Sequence, residues 1–144
     1  MLLQTQPNNW SCLPTAFAMV LDVPVALFIE QLGHDGSQQH WERYRLAWHI
    51  QEIAKVCYDY YGVCVTQLEA VTLAAPTPGY DPHEQTYDLS EYYGADAGVA
   101  GVTNTRGIGH ALAFSKSHFY NPSSGRECSL KDYQVHTVWL LGLV

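Results

Sequence analysis

Every long helix-like pattern in this chain lies before Gly62, and the strand-like patterns lie after it. That order constrains the fold more than any other feature. A chain that alternates strand and helix builds a parallel sheet. A chain that separates them packs helices on an antiparallel sheet, the α+β arrangement. Cys12 to Leu21 is almost wholly apolar and reads as a buried helix, with Pro14 in its first turn, where a missing N–H costs nothing. Asp22 to Pro24 break it. A second short helix is expected from Val25 to Leu32, stopped by Gly33. A third is expected over about Trp41 to Tyr60, with Leu46, Ile50, Ile53 and Cys57 on one apolar face and Gly62 beyond its end.

The strands expected are Val63 to Leu68, Gly98 to Thr103, Gly109 to Ser115, Ser117 to Asn121 and Val135 to Leu141. Asn104 to Gly107 and Asn121 to Gly125 carry turn chemistry. Between helices and late strands, Ala74 to Tyr93 holds three prolines and many polar residues, and reads as a long loop with at most a short helix. No repeat or low-complexity stretch appears. The 144 residues, 47% of them apolar, fit a single domain spanning residues 1–144 with one real core.

Composition excludes some functions. Only 7 Lys and Arg stand against 14 Asp and Glu, a net charge of −7, so no nucleic-acid partner is expected. No apolar run reaches the length of a membrane span, and Met1 to Gln6 shows no basic region followed by an apolar run. The expectation is a soluble, cytoplasmic protein with no membrane partner. Four cysteines without a CxxC pair fit reduced thiols better than a disulfide framework.

One of those cysteines opens the first buried helix. The N-terminus of a helix carries partial positive charge, which stabilises a thiolate and makes Cys12 a candidate nucleophile. A buried core cysteine is the plainer explanation of the same residue. Gln6, six positions earlier, has an amide that could donate to a developing oxyanion beside the Cys12 N–H, with Gln4 as a backup. A surface loop glutamine would look the same. A thiol needs a base that titrates near neutrality, and His110, in Gly107-Ile108-Gly109-His110-Ala111-Leu112, has small residues that leave space beside a buried ring. A satisfied core histidine is the rival reading, and His34 is the runner-up base. Asn121, at the end of the next strand, could accept from the imidazole and fix its tautomer, although Asn-Pro with a nearby Gly is also an ordinary turn.

Each piece is ordinary alone, but together they form an ordered set: Gln6, Cys12 at a helix start, His110 on a late strand, Asn121 on the next. The set resembles the papain-like cysteine peptidases. It is most similar to the compact type that processes bacteriocin leaders after a double glycine, and to its bacterial and phage relatives. The residues carrying the resemblance are Gln6-Pro7, Cys12-Leu13-Pro14, Gly109-His110-Ala111-Leu112 and Asn121-Pro122-Ser123-Ser124-Gly125. Phe119-Tyr120-Asn121-Pro122 is also similar to a strand end in effector peptidases injected by bacteria. Leu13 stands where those relatives often carry Gly. The resemblance implies a papain-like α+β fold, N-terminal helices packed on a small antiparallel sheet. It also implies a protein or peptide substrate, no cofactor, and hydrolysis of peptide or isopeptide bonds by a Cys12–His110–Asn121 triad with Gln6 in the oxyanion hole. A glutamine deamidase or transglutaminase-like acyltransferase uses the same site. A binding or inhibitor protein could keep the fold without turnover.

Other features read as structural. The aromatics Trp41, Tyr44, Trp48, Tyr58, Tyr60 and Tyr61 fit core and rim packing around the third helix. His34, Asp35 and His40 lack paired ligand spacing, so no metal site is expected. Asp88, Glu91, Tyr92 and Tyr93 are placed to flank a groove.

Overall fold

The computed structural model describes residues 1–37, 48–70 and 88–143. Among the described residues three α-helices come first: α1 (Cys12–Val20), α2 (Val25–Leu32) and α3 (Ile50–Tyr61). Six strands follow among them: β1 (Val63–Glu69), β2 (Gly98–Asn104), β3 (Gly109–Ser115), β4 (His118–Asn121), β5 (Arg126–Cys128) and β6 (Tyr133–Leu143). They form one sheet in the order β1-β6-β2-β3-β4-β5, antiparallel at every pairing. The fold is therefore α+β, helices first and sheet after.

The helix ends follow local chemistry. α2 and α3 both stop at a glycine in the left-handed region, Gly33 (φ 86°) and Gly62 (φ 64°), which L residues with a Cβ reach only at a cost. α3 begins at Ile50, and the expected start near Trp41 is corrected where it can be seen. His49 is extended (φ −88°, ψ 134°), and its N–H donates to Glu52 Oε2 while its side chain receives the Glu52 N–H. That reciprocal cap sets the helix start and excludes Trp48 from the helix. Of the expected apolar face, Ile53 and Cys57 are fully buried and Ile50 is partly so; Leu46 lies outside the described residues.

The sheet has two covered faces. On one, Phe17 and Ala18 of α1, Phe28 of α2 and Ile53 of α3 pack with Val99, Ala111 and Ala113. Phe17 lies against the Trp139 ring, centroids 6.1 Å apart. On the other, Ala100, Val102, Leu112, Phe114, Phe119 and Val138 meet Leu89, Tyr92 and Tyr93 from the short 3-10 turn Ser90–Tyr92 and its flanks. Tyr93 meets Phe119 edge-on at 5.1 Å. The β3–β4 hairpin turns on Lys116 (φ 50°) and Ser117 (φ 68°). Neither is glycine. Their N–H groups donate to the carbonyls of Ala95 and Tyr93, which helps hold the strained pair in place.

Strand boundaries mostly agree with the alternation in the sequence. β5 was not expected, and β6 is longer than expected at both ends. The register of β6 against β2 shifts: Gly101 faces Thr137, but Val102 faces Val135, so His136 is an extra residue. Its carbonyl accepts from the Ala70 N–H at 2.9 Å. A one-residue bulge inverts the alternation beyond it. Tyr133 and Val135 therefore share a face with Val138 and Leu140, all four packing against the second cluster.

Among the described residues, no single helix is long and apolar enough to cross a membrane. The four cysteines are free thiols.

A close approach inside the sheet yields a test. A Cβ on Gly98 would lie 2.2 Å from Phe114 Cζ, and Phe114 is fully buried, so its ring cannot swing clear. Gly98→Ala should destabilise the protein by about 1–3 kcal/mol, the usual range for overpacking. Gly142→Ala, whose Cβ meets nothing within 4 Å, should stay within about 0.5 kcal/mol of the parent. Urea unfolding of the three proteins checks this.

Candidate active site

Cys12 is the first residue of α1, as expected, with Ser11 at the cap position. Thr15 Oγ1 donates to the Ser11 carbonyl at 2.6 Å, tightening the first turn. Pro14 through Met19 are buried, which fixes the helix against the sheet and its N-terminus against β3. There the backbone N–H of Ala111 is turned toward Cys12 Sγ. Ala111 is the residue after His110, so Cys12 meets β3 one residue from the candidate base.

Burial pushes the Cys12 thiol above its ordinary range; the N–H groups of Ala111, Leu13 and Cys12 pull the other way without offsetting it. The dipole of a nine-residue helix is a weak effect beside desolvation among Ala16, Ala111 and Ala113. Among the described residues no hydrogen bond links Cys12 to His110.

His110 and Asn121 do come together. His110 Nε2 lies 2.7 Å from Asn121 Oδ1. The direction of this bond follows from its neighbours. The Ser123 backbone N–H, which can only donate, reaches Asn121 Oδ1 at 2.9 Å. The carboxamide must therefore present oxygen on that side, and the proton must sit on His110 Nε2. In neutral imidazole that leaves Nδ1 as the basic nitrogen. His110 is half-buried rather than buried, because it is the second residue of β3 and stands at the strand end. Cβ atoms added at Gly107 or Gly109 would meet nothing within 4 Å, so the space beside it is open.

Two residues not anticipated from the sequence complete the cluster. Ser123 Oγ lies 3.5 Å from His110 Nε2. Tyr133 stacks on His110 (centroids 6.3 Å apart, planes 22° apart), and its hydroxyl accepts from Asn121 Nδ2 at 3.3 Å. Burial, then the charges of Cys128 and Asp132, hold the Tyr133 hydroxyl above the ordinary phenol range, so it keeps its proton at neutral pH. The sequence signal was faint, since β6 was expected to begin at Val135. Tyr133 also walls an open polar cleft of about 220 Å³ with Thr103, Asn104, Lys131 and Gln134.

Gln6 is pinned beside Asn121: its N–H donates to the Pro122 carbonyl at 2.8 Å. Its Oε1 is buried without a partner among the described residues, as is Ser11 Oγ. Gln4 is corrected as a backup. Its Nε2 donates to the Val23 carbonyl and its Oε1 accepts from the Val25 N–H, both at 2.8 Å, so its amide bridges the turn between α1 and α2.

His34, the runner-up base, is engaged at both nitrogens. The Gly36 N–H donates to its Nδ1 at 3.1 Å, so Nε2 carries the proton toward Glu52 Oε1 at 2.5 Å, and the ring stacks on Trp48 at 4.6 Å. Both nitrogens are engaged in holding the loop to α3. His40, Trp41 and Tyr44 lie outside the described residues. Asp88, Glu91 and Tyr92 do flank a groove, a cavity of about 560 Å³ shared with Leu68, Glu69 and Leu89. It sits at the β1 edge, three strands from β3, and Tyr93 packs into the aromatic cluster instead.

The thiols provide the second test. Burial pushes Cys57 up to about 12. Between the unfolded value near 9 and that value, the unfolded chain binds fewer protons than the folded one. This group's contribution to stability therefore falls as pH rises, by up to about 1.4 kcal/mol per unit. From pH 9 to 11 the urea midpoint of the parent should drop faster than that of Cys57→Ala. In the native parent at pH 8, iodoacetamide should modify exposed Cys64 and spare Cys57.

Comparison with known proteins adds no further constraint on the site: no family model matches the chain, and neither does any curated protein or solved structure.

Proposed function

We propose that this chain is a cysteine-nucleophile hydrolase with a papain-like arrangement, cleaving peptide or isopeptide bonds with Cys12 as nucleophile, His110 as base and Asn121 as its orienting partner. The observation that carries the reading is the fixed His110 tautomer. Nε2 is committed to Asn121, Nδ1 is left basic, and Cys12 stands one residue away at Ala111. The order of the elements, helices then an antiparallel sheet, agrees with it.

In this reading His110 acts as the general base during attack. The Cys12 proton passes to Nδ1 as sulfur bonds to the substrate carbonyl carbon. The Cys12 N–H and the Gln6 amide then stabilise the oxyanion. His110 returns the proton to the leaving nitrogen as the C–N bond breaks, giving an acyl-enzyme. Water, deprotonated by His110, releases the acid and restores the thiol. The polar cleft walled by Tyr133 offers room for a substrate group beside the residue that stacks on His110. Deamidation of glutamine and acyl transfer to an amine share these steps and differ in leaving group or acceptor. The intact mass of a treated substrate separates them, since cleavage fragments it and deamidation does not.

A second reading, a partner-binding protein on the same fold, is favoured by one observation: Cys12 is half-buried and has no hydrogen bond to His110 among the described residues. Iodoacetamide labelling over pH 5–9 with peptide mapping separates the two. The hydrolase reading expects Cys12 to react more slowly in His110→Ala by at least about ten-fold, at the low end of a general-base contribution. Equal rates in both proteins would leave the binding reading standing.

A further inference from the structure

We propose that Tyr133 is a positioning residue that holds the Asn121 carboxamide and the His110 ring in one arrangement, keeping the proton on Nε2 and Nδ1 turned outward as the base. This rests on the reading of His110 as the base of Cys12. Two contacts carry it. The phenol ring lies nearly parallel to the imidazole, which limits rotation of His110 out of the Asn121 plane. The hydroxyl accepts from Asn121 Nδ2 while the Ser123 N–H holds Oδ1. The two partners act on different properties of the carboxamide. Ser123 decides which end of it is oxygen, and Tyr133 decides where its plane lies.

Backbone geometry delivers Tyr133 to this place. Strand order puts β2 and β3 between its own strand, β6, and the β4 residue it holds, so the side chain bridges across two strands. It reaches that face because His136 is a bulge. Without the extra residue Tyr133 would fall on the opposite face from Val138, among the residues packed against the helices.

The experiment uses the full chain, with two variants checked for folding by urea denaturation. The downfield proton on His110 Nε2 and the Asn121 side-chain amide are followed by NMR. Iodoacetamide modification of Cys12 is followed by peptide mapping. Tyr133→Phe keeps the ring and loses the hydroxyl; it should shift the Asn121 amide signal and slow Cys12 modification about three- to ten-fold, the range of one hydrogen bond. Tyr133→Leu loses both, and the Nε2 proton signal should disappear into exchange with water. If Tyr133→Leu does not fold, Tyr133→Phe decides. Folded variants with unchanged signals and an unchanged Cys12 rate overturn the proposal. If the NMR signals respond to Tyr133 while Cys12 modification is indifferent to His110→Ala, the positioning role stands and the hydrolase reading fails.

Discussion

The seating of α1 on the sheet is the contact on which the rest depends. Pro14 through Met19 are buried without a break, and Phe17 is wedged against Trp139. A helix buried to that extent has one position and one rotation, because any slide opens voids against Val99 and Ala113. Its N-terminus is then fixed opposite Ala111, and Cys12 with it. The same burial removes water from the thiol and raises it. Placement and protonation of the cysteine thus have one cause.

The alternation of side chains along β3 distributes the remaining parts. Ala111 and Ala113 face the helices, while Leu112 and Phe114 face the other cluster. His110 falls on the second side, where Asn121 from β4 and Tyr133 from β6 also lie. Cys12 meets the same strand end at Ala111, and the space at Gly109, where an added Cβ would meet nothing within 4 Å, is open.

Much of this was legible along the chain. The Cys12 helix, Val25 to Leu32, the Gly33 and Gly62 stops and the span Gly109 to Ser115 follow from short-range preferences that act within a few residues. The pairing of His110 with Asn121 was legible too, because a two-residue hairpin leaves few registers. The start of α3 was misplaced because apolar spacing continues past the point where the His49–Glu52 cap ends the helix. Tyr133 was missed because its role depends on a bulge, and a bulge shows only in the register of two strands.

The sequence by itself determined where most of the helices and strands lie, the order that makes the fold α+β, and the residue types able to do acyl chemistry. Periodicity, capping and turn residues are local and can be read locally. Only the tertiary structure decided that burial pushes the Cys12 thiol up, that the Gln4 amide bridges the turn between α1 and α2, that both His34 nitrogens are engaged, and that Tyr133 and Ser123 hold Asn121. Each of those depends on burial or on partners distant along the chain, and these exist only once the sheet has assembled in its register.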